Sequence, residues 1–302
     1  MWPKKNAPQT GNYATFERRI LKRFQPAFQF CGPDIPIIPL IMSSPHSGRL
    51  YPNAFLQESR LPKKTLRRNE DAYVDRIIAP LAAHGISQIT APFPRVYVDV
   101  NRAAHELPPD LAVQTPSAEI TPRARAGLGV IPTRIGAEEI YTQAPDMHLV
   151  KRRLEALYHP WHQALHALIR RTYASYGQCL LLDVHSMPPQ GQDGQPRADI
   201  ILGNAYAQST HPHTTALIRR SFETAGFSVT MNIPFSGGYI TRHYGKPDKK
   251  IEVMQIEINK SLYLDARTQK PGPQFGYFQA RFTRAIRSIW AELSIPFPDA
   301  AQ

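Results

Sequence analysis

The segment 178–184, QCLLLDV, is apolar at successive positions and then breaks at once into a polar loop, DVHSMPP. A short run of that kind predicts a buried strand. Residues 35–42 form a similar run, rich in isoleucine and bounded by proline. Further strands are predicted over 199–203 (DIILG), 227–233 (FSVTMNI) and 251–259 (IEVMQIEIN), with two more in ISQITAPF (86–93) and RVYVDV (95–100). Helical stretches lie between them. Apolar spacing at Tyr73, Val74, Ile77, Ile78 and Leu81 predicts a helix within 62–84, closed by Gly85. Others are predicted over 146–175, stopped by Gly177, over 211–225 and over 273–294. Residues 106–136 are expected to form a proline-rich loop. Residues 1–34 are expected to be a polar lead-in, partly helical over 13–28, ahead of one domain spanning 35–302. Strands alternating with helices define an α/β class: a single domain with a central mixed, mostly parallel sheet flanked by helices. Such sheets carry their sites in loops beyond the strand ends.

Composition narrows the chemistry. No apolar run approaches the roughly 18 to 20 residues needed to cross a bilayer, and the first ten residues lack a hydrophobic signal core, which points to a cytoplasmic protein with no membrane partner. Cys31 and Cys179 are the only cysteines, too few for a disulfide framework or a cysteine zinc cluster. Any metal must therefore be held by histidine and carboxylate. The net charge is +12, but the basic residues are dispersed and no nucleic-acid-binding signature organises them. A solvated basic surface that steers small anions is the expectation, rather than a nucleic-acid partner.

Two histidines occupy the same local setting. His46, in IMSSPHSGRLYP (41–52), and His185, in DVHSMPP, each stand where an apolar strand gives way to a loop. Histidines so placed can meet at one edge of a sheet. In NEDAYVDR, Glu70 and Asp71 fall near a helix start, where acidic residues favour the helix dipole. Either carboxylate also completes a His/His/carboxylate zinc triad with an open fourth position. In RVYVDVNR, Asp99 and Asn101 are expected on one face of a strand, with Asn101 and Arg102 able to grip a carboxylate at its end. The loop NIPFSGGYITRHYG offers Gly237 and Gly238 for close backbone approach, followed by the donors Tyr239, Thr241, Arg242 and His243. Glu257 lies within an apolar strand and shares a side with Gln255. A buried carboxylate is costly unless paired or functional; facing a metal, it can take the proton from water. His159 and His162, three apart beside Pro160 and Trp161, are expected to pack rather than ligate.

In order along the chain, PHSGRLYP, NEDAYVDR, RVYVDVNR, YHPWHQAL, DVHSMPP, NIPFSGGYITRHYGKP and QIEINKSLY resemble the N-formylglutamate amidohydrolase family. That family is similar in turn to zinc carboxypeptidases and acyl-amino-acid deacylases, which implies a phosphorylase/hydrolase-like sheet. The resemblance implies that His46 and His185 ligate zinc, that Arg102 with Asn101 holds a substrate carboxylate, and that Glu257 is the general base. In carboxypeptidase-like relatives a glutamate follows the first histidine by three residues, but here that position is Arg49. The carboxylate ligand is therefore sought elsewhere, and Asp71 is assigned ahead of Glu70. The implied activity is zinc-dependent hydrolysis of N-formyl-L-glutamate to formate and L-glutamate, a step of histidine degradation, with other divalent metals as substitutes. Arg95 and Arg242 are further candidates for substrate carboxylates, and Gly238 and Tyr239 for the substrate loop. The alternatives are a deacylase or carboxypeptidase-like hydrolase acting on another N-acyl amino acid or peptide, and a non-catalytic anion-binding protein.

Overall fold

The structure, a computed structural model, describes residues 10–108, 111, 121–143, 145–191 and 193–293. Its strands, in chain order, are β1 (Gln29–Cys31), β2 (Leu40–Ser44), β3 (Ser87–Thr90), β4 (Arg134–Ile135), β5 (Glu138–Glu139), β6 (Cys179–Met187), β7 (Ile200–Gly203), β8 (Val229–Met231) and β9 (Ile251–Asn259). β4 and β5 pair only with each other; the rest form one sheet in the order β1-β3-β2-β6-β9-β7-β8. β2 is parallel to β3 and β6, β6 is parallel to β9, and β7 to β8. The antiparallel pairs are β1–β3 and β7–β9. The expected mixed, mostly parallel α/β sheet is what forms.

The continuous apolar runs sit at the centre because both faces of the sheet are covered. Successive side chains of a strand point to opposite faces. Leu181 and Val253 enter one core with Ile41, Trp161 and Leu165 of the helix His159–Tyr176. Leu182, Met254 and Ile256 enter the other with Phe222 and Phe282, from the helices Pro212–Thr224 and Phe275–Leu293. The helix Thr10–Arg23 adds Ile20 and Leu21 to the first core. It is fastened there by Glu17, whose Oε1 accepts from Arg153 Nε at 3.0 Å and from the Tyr97 hydroxyl. The Arg153 guanidinium is fully buried and lies 3.8 Å from the Tyr97 ring centroid.

Several expected elements differ in form. The helix predicted over 62–84 is a series of short turns: Lys63–Leu66, Arg67–Asn69, Val74–Ile78 and Ala79–His84. It breaks where Tyr73 adopts a left-handed φ of 64° and where the Asp71 N–H bonds the His46 carbonyl instead of a helical partner. RVYVDV is not a strand but a turn-rich segment; Tyr97 N–H bonds the Pro94 carbonyl and Asp99 N–H bonds the Val130 carbonyl. Pro92 and Pro94 lack the donors a strand requires. The same shortage at Pro36 and Pro39 delays β2 to Leu40. The helix expected over 146–175 is interrupted by a wider turn at Leu154–Tyr158, just before Pro160. Within the predicted loop 106–136, residues 109–110 and 112–120 lie outside the described residues, as do residues 1–9 of the lead-in and residues 294–302 of the predicted domain. No helix among the described residues is long and apolar enough to cross a membrane.

Candidate metal centre and active site

Because β2 and β6 are parallel neighbours, with Ser43 opposite Asp183, their C-terminal ends deliver His46 and His185 to the same sheet edge. The two rings are 4.8 Å apart at their centroids and both are buried. The broken helix supplies the third member. Asp71 Oδ2 lies 2.9 Å from His185 Nδ1 and 3.3 Å from His46 Nδ1. Its other oxygen accepts from Ser186 Oγ at 3.1 Å.

The outer ring nitrogens are already engaged. His46 Nε2 lies 2.7 Å from Asp99 Oδ1, and His185 Nε2 lies 2.8 Å from Asp183 Oδ2. Those carboxylates are themselves fixed. Asp99 accepts from Arg95 Nη2 at 2.7 Å and from the Asn101 N–H at 2.9 Å. Asp183 accepts from Ser43 Oγ at 2.6 Å. Each imidazole thus points one nitrogen at a carboxylate and the other at Asp71, the arrangement that orients histidines bound to metal.

The residues fit a divalent cation. His46 Nδ1 is buried without a hydrogen-bond partner, and the ligand atoms of His46, Asp71 and His185 all lie within 4.8 Å of one another. Tetrahedral ligands at about 2.0 to 2.1 Å from an ion stand about 3.3 Å apart, close to the observed separations. His46, Asp71 and His185 can therefore hold a metal. Glu70, the neighbouring carboxylate, turns away to Arg67 Nε at 3.2 Å. Arg49 takes no part in the cluster: it forms a two-point pair with Asp75 at 3.0 and 2.7 Å.

Protonation follows from burial and charge. Burial opposes ionisation of Asp71, yet the hydrogen bond with His185 and the closeness of both imidazoles outweigh it and hold the carboxyl well below its usual range. Burial also opposes charge on Asp99, but Arg95 and His46 keep it ionised. His185 is pushed well above the usual imidazole range, because Asp183 and Asp71 overcome the desolvation of its cation. Three carboxylates gathered around two imidazoles give a donor set suited to a cation.

Beside this cluster stands Glu257. β6 and β9 pair in register with His185 opposite Glu257, and both lie on the face that continues from Leu181 and Val253. Burial pushes the Glu257 carboxyl up to about 7, against the opposing pull of His185. Gln255 Nε2 donates to Glu257 Oε1 at 2.8 Å, and Gln255 Oε1 accepts the Gly238 N–H at 2.8 Å. That pair docks the glycine loop on β9. The loop is also tied to Asn101, whose Oδ1 accepts the Ile240 N–H at 2.8 Å. A Cβ at Gly238 would fall 2.4 Å from Asn101 Nδ2, so any larger residue must displace the Asn101 side chain.

The remaining predicted residues divide. Arg95 joins the cluster through Asp99. Arg102 donates through Nη1 to the Asn101 carbonyl at 2.8 Å and through Nε to the Leu128 carbonyl at 2.9 Å. Tyr239 is half-buried, and Arg242 is exposed, with Nη2 3.2 Å from Ser236 Oγ. His162 packs, as expected, between the Tyr244 hydroxyl at 2.8 Å and the Val100 carbonyl at 2.9 Å, supporting the turn that carries Asn101. Its burial lowers its pKa to about 3, so it stays neutral. Sequence reasoning missed the pairings of Asp99 and Asp183 with the histidines, and it missed Lys260. Asp183 had a legible signal, since it stands two residues before His185 on the same strand face.

A buried His-Asp-His group able to hold a cation, at the edge of an α/β sheet with a buried glutamate alongside, has the make-up of a metal-assisted hydrolase site. Residues 38–264 match the N-formylglutamate amidohydrolase family. The N-formylglutamate deformylase of Pseudomonas aeruginosa is 30% identical over 267 residues, which cover 85% of this chain and 91% of that protein. Its counterpart from Pseudomonas putida is 28% identical over 235 residues, covering 76% and 82%. The crystal structure of N-formylglutamate amidohydrolase from Ralstonia eutropha JMP134 superposes with a TM-score of 0.80 at 29% identity, covering 87% of this chain and 97% of that one. The chain belongs to the N-formylglutamate amidohydrolase family.

Proposed function

We propose that this protein is a zinc-dependent deformylase that hydrolyses N-formyl-L-glutamate to formate and L-glutamate. The observation that carries this reading is the convergence of His46 Nδ1, His185 Nδ1 and Asp71 Oδ2 on one point, with Glu257 opposite His185. His46, Asp71 and His185 would hold the ion. When bound, zinc or another divalent cation supplies the Lewis acidity that polarises the formyl carbonyl and makes water more acidic.

The chain's own groups do the rest. Asp99 and Asp183 keep the Nε2–H of each imidazole turned outward, so both Nδ1 lone pairs face the centre. Gln255 occupies Oε1 of Glu257, leaving Oε2 to accept the proton of the attacking water. The hydroxyl adds to the formyl carbon, the carbon–nitrogen bond breaks, and Glu257 returns the proton to the departing amine. Asn101 and Arg102 orient one substrate carboxylate, with Arg95 and Arg242 as further cations at the site. Gly238 and Tyr239 belong to the loop that covers the substrate and limits access of bulk water. The net charge of +12 favours the approach of an anionic substrate.

The test is primary-amine release from a panel of N-acyl amino acids by the zinc-loaded protein. N-formyl-L-glutamate is expected to be cleaved with the highest kcat/KM, and formate to appear in equal amount. Preference for a longer acyl group or for a peptide would favour a deacylase or carboxypeptidase-like activity at the same site.

A further inference from the structure

We propose that Lys260 selects the substrate's second carboxylate, making the site specific for acidic N-formyl amino acids. This rests on the deformylase reading above. Lys260 opens the turn Lys260–Leu262 directly after β9, three residues beyond Glu257. Its Nζ lies 2.6 Å from the Glu70 carbonyl oxygen, next to Asp71. That bond sets the ammonium against the peptide that leads into Asp71, at the edge of the cluster.

The arginines around the metal-binding cluster are already paired. Arg95 is spent on Asp99 at 2.7 Å, Arg67 on Glu70 at 3.2 Å and Arg49 on Asp75 at 2.7 Å. Lys260 has one hydrogen bond, to a neutral carbonyl, and no ion pair among the described residues. An ammonium has three donors, so two are left for a ligand. A half-buried cation beside a reaction centre, with donors unspent and no carboxylate in contact, is completed by an anionic group of the substrate. Arg102 and Asn101 account for one carboxylate of a dicarboxylate. Arg242 is exposed to water and bonded to a hydroxyl, which leaves Lys260 as the cation for the other.

The competing role is structural, in which Lys260 braces the Glu70–Asp71 peptide and so holds the metal ligand. Bracing needs a donor, whereas selecting a carboxylate needs a charge facing the substrate. The experiment compares zinc-loaded wild type, Lys260→Met, Lys260→Arg and Arg242→Ala on N-formyl-L-glutamate and on its neutral isostere, N-formyl-L-glutamine, alongside zinc affinity. Lys260→Met is expected to lower kcat/KM for the glutamate substrate about 10- to 100-fold, mainly through KM. The glutamine substrate should change by less than about threefold, zinc affinity should hold, and Lys260→Arg should recover part of the loss. Equal losses on both substrates, a parallel fall in zinc affinity, or collapse of the preference in Arg242→Ala alone would overturn the assignment while leaving the deformylase reading intact. A wild type that cleaves no N-formyl amino acid would overturn that reading and the assignment with it.

Discussion

His46 Nε2 lies 2.7 Å from Asp99 Oδ1, and this contact leaves Nδ1 as the ring nitrogen that faces the centre of the site. Asp99 also takes Arg95 and the Asn101 N–H, so it couples His46 to the turn that carries two proposed substrate-binding residues. Replacing Asp99 with Asn removes the charge that fixes the imidazole. Metal affinity is expected to fall about 10- to 100-fold, measured by competition with a chromophoric chelator. Unchanged affinity in Asp99→Asn would show that the contact orients nothing.

Glu257 gives a prediction in pH. The protonated carboxyl cannot accept a proton, so kcat/KM should fall as pH drops through its apparent pKa. In the metal-free protein that value is raised to about 7 by burial; a bound cation stabilises the carboxylate, so the acidic limb of the holoenzyme should lie below 7. Glu257→Gln should lose about 10²- to 10⁴-fold in kcat while retaining metal.

Stability of the metal-free protein carries the same signature with the opposite direction. Glu257 binds its proton more tightly in the folded chain than at the usual 4.5, so stability should decline as pH rises from there towards 7. Asp71 and Asp99, held below the usual 3.8, contribute stability that is present above that value and lost only as pH falls further. Denaturant titrations should show the decline between pH 4.5 and 7 in wild type and a flatter profile in Glu257→Gln.

Gly238 tests the loop. A methyl group there would press on Asn101 Nδ2 at 2.4 Å and force apart the loop and the turn beneath it. Gly238→Ala is expected to raise KM for N-formyl-L-glutamate at least about tenfold with metal affinity preserved. A normal KM would mean that the loop plays no part in holding substrate.

Arg153 tests the attachment of the first helix. Its guanidinium is fully buried between Glu17 and the Tyr97 ring, and Tyr97 stands between Arg95 and Asp99 in sequence. Arg153→Ala leaves the Glu17 carboxylate buried and uncompensated, an expected loss of about 3 to 5 kcal/mol in chemical denaturation. The double substitution Glu17→Gln with Arg153→Met should cost clearly less than Arg153→Ala alone. A single substitution that costs under about 1 kcal/mol would contradict the pairing.

The sheet was legible because burial on both faces writes itself as continuous apolar runs, as in the first half of β6. His46 and His185 were legible for a related reason, since parallel strands end at one edge and their final polar residues meet there. RVYVDV misled because its alternation mimics a strand, whereas its order comes from prolines, a turn bond to Pro94 and a long-range bond to Val130. The helix at 62–84 misled in a related way: the apolar spacing from Tyr73 to Leu81 reads as helix, but the break at Asp71 is imposed by a bond to His46 that no local pattern encodes. Lys260 escaped notice because a lysine after a strand is usually solvated, and only the fold brings it to the Glu70 carbonyl.

The most direct measurement is metal content and N-formyl-L-glutamate hydrolysis in wild type and His185→Ala, purified alike. The account predicts about one divalent ion per chain and active hydrolysis in wild type, with both lost in the variant. A His185→Ala protein that stays folded, keeps its metal and still releases formate would contradict it.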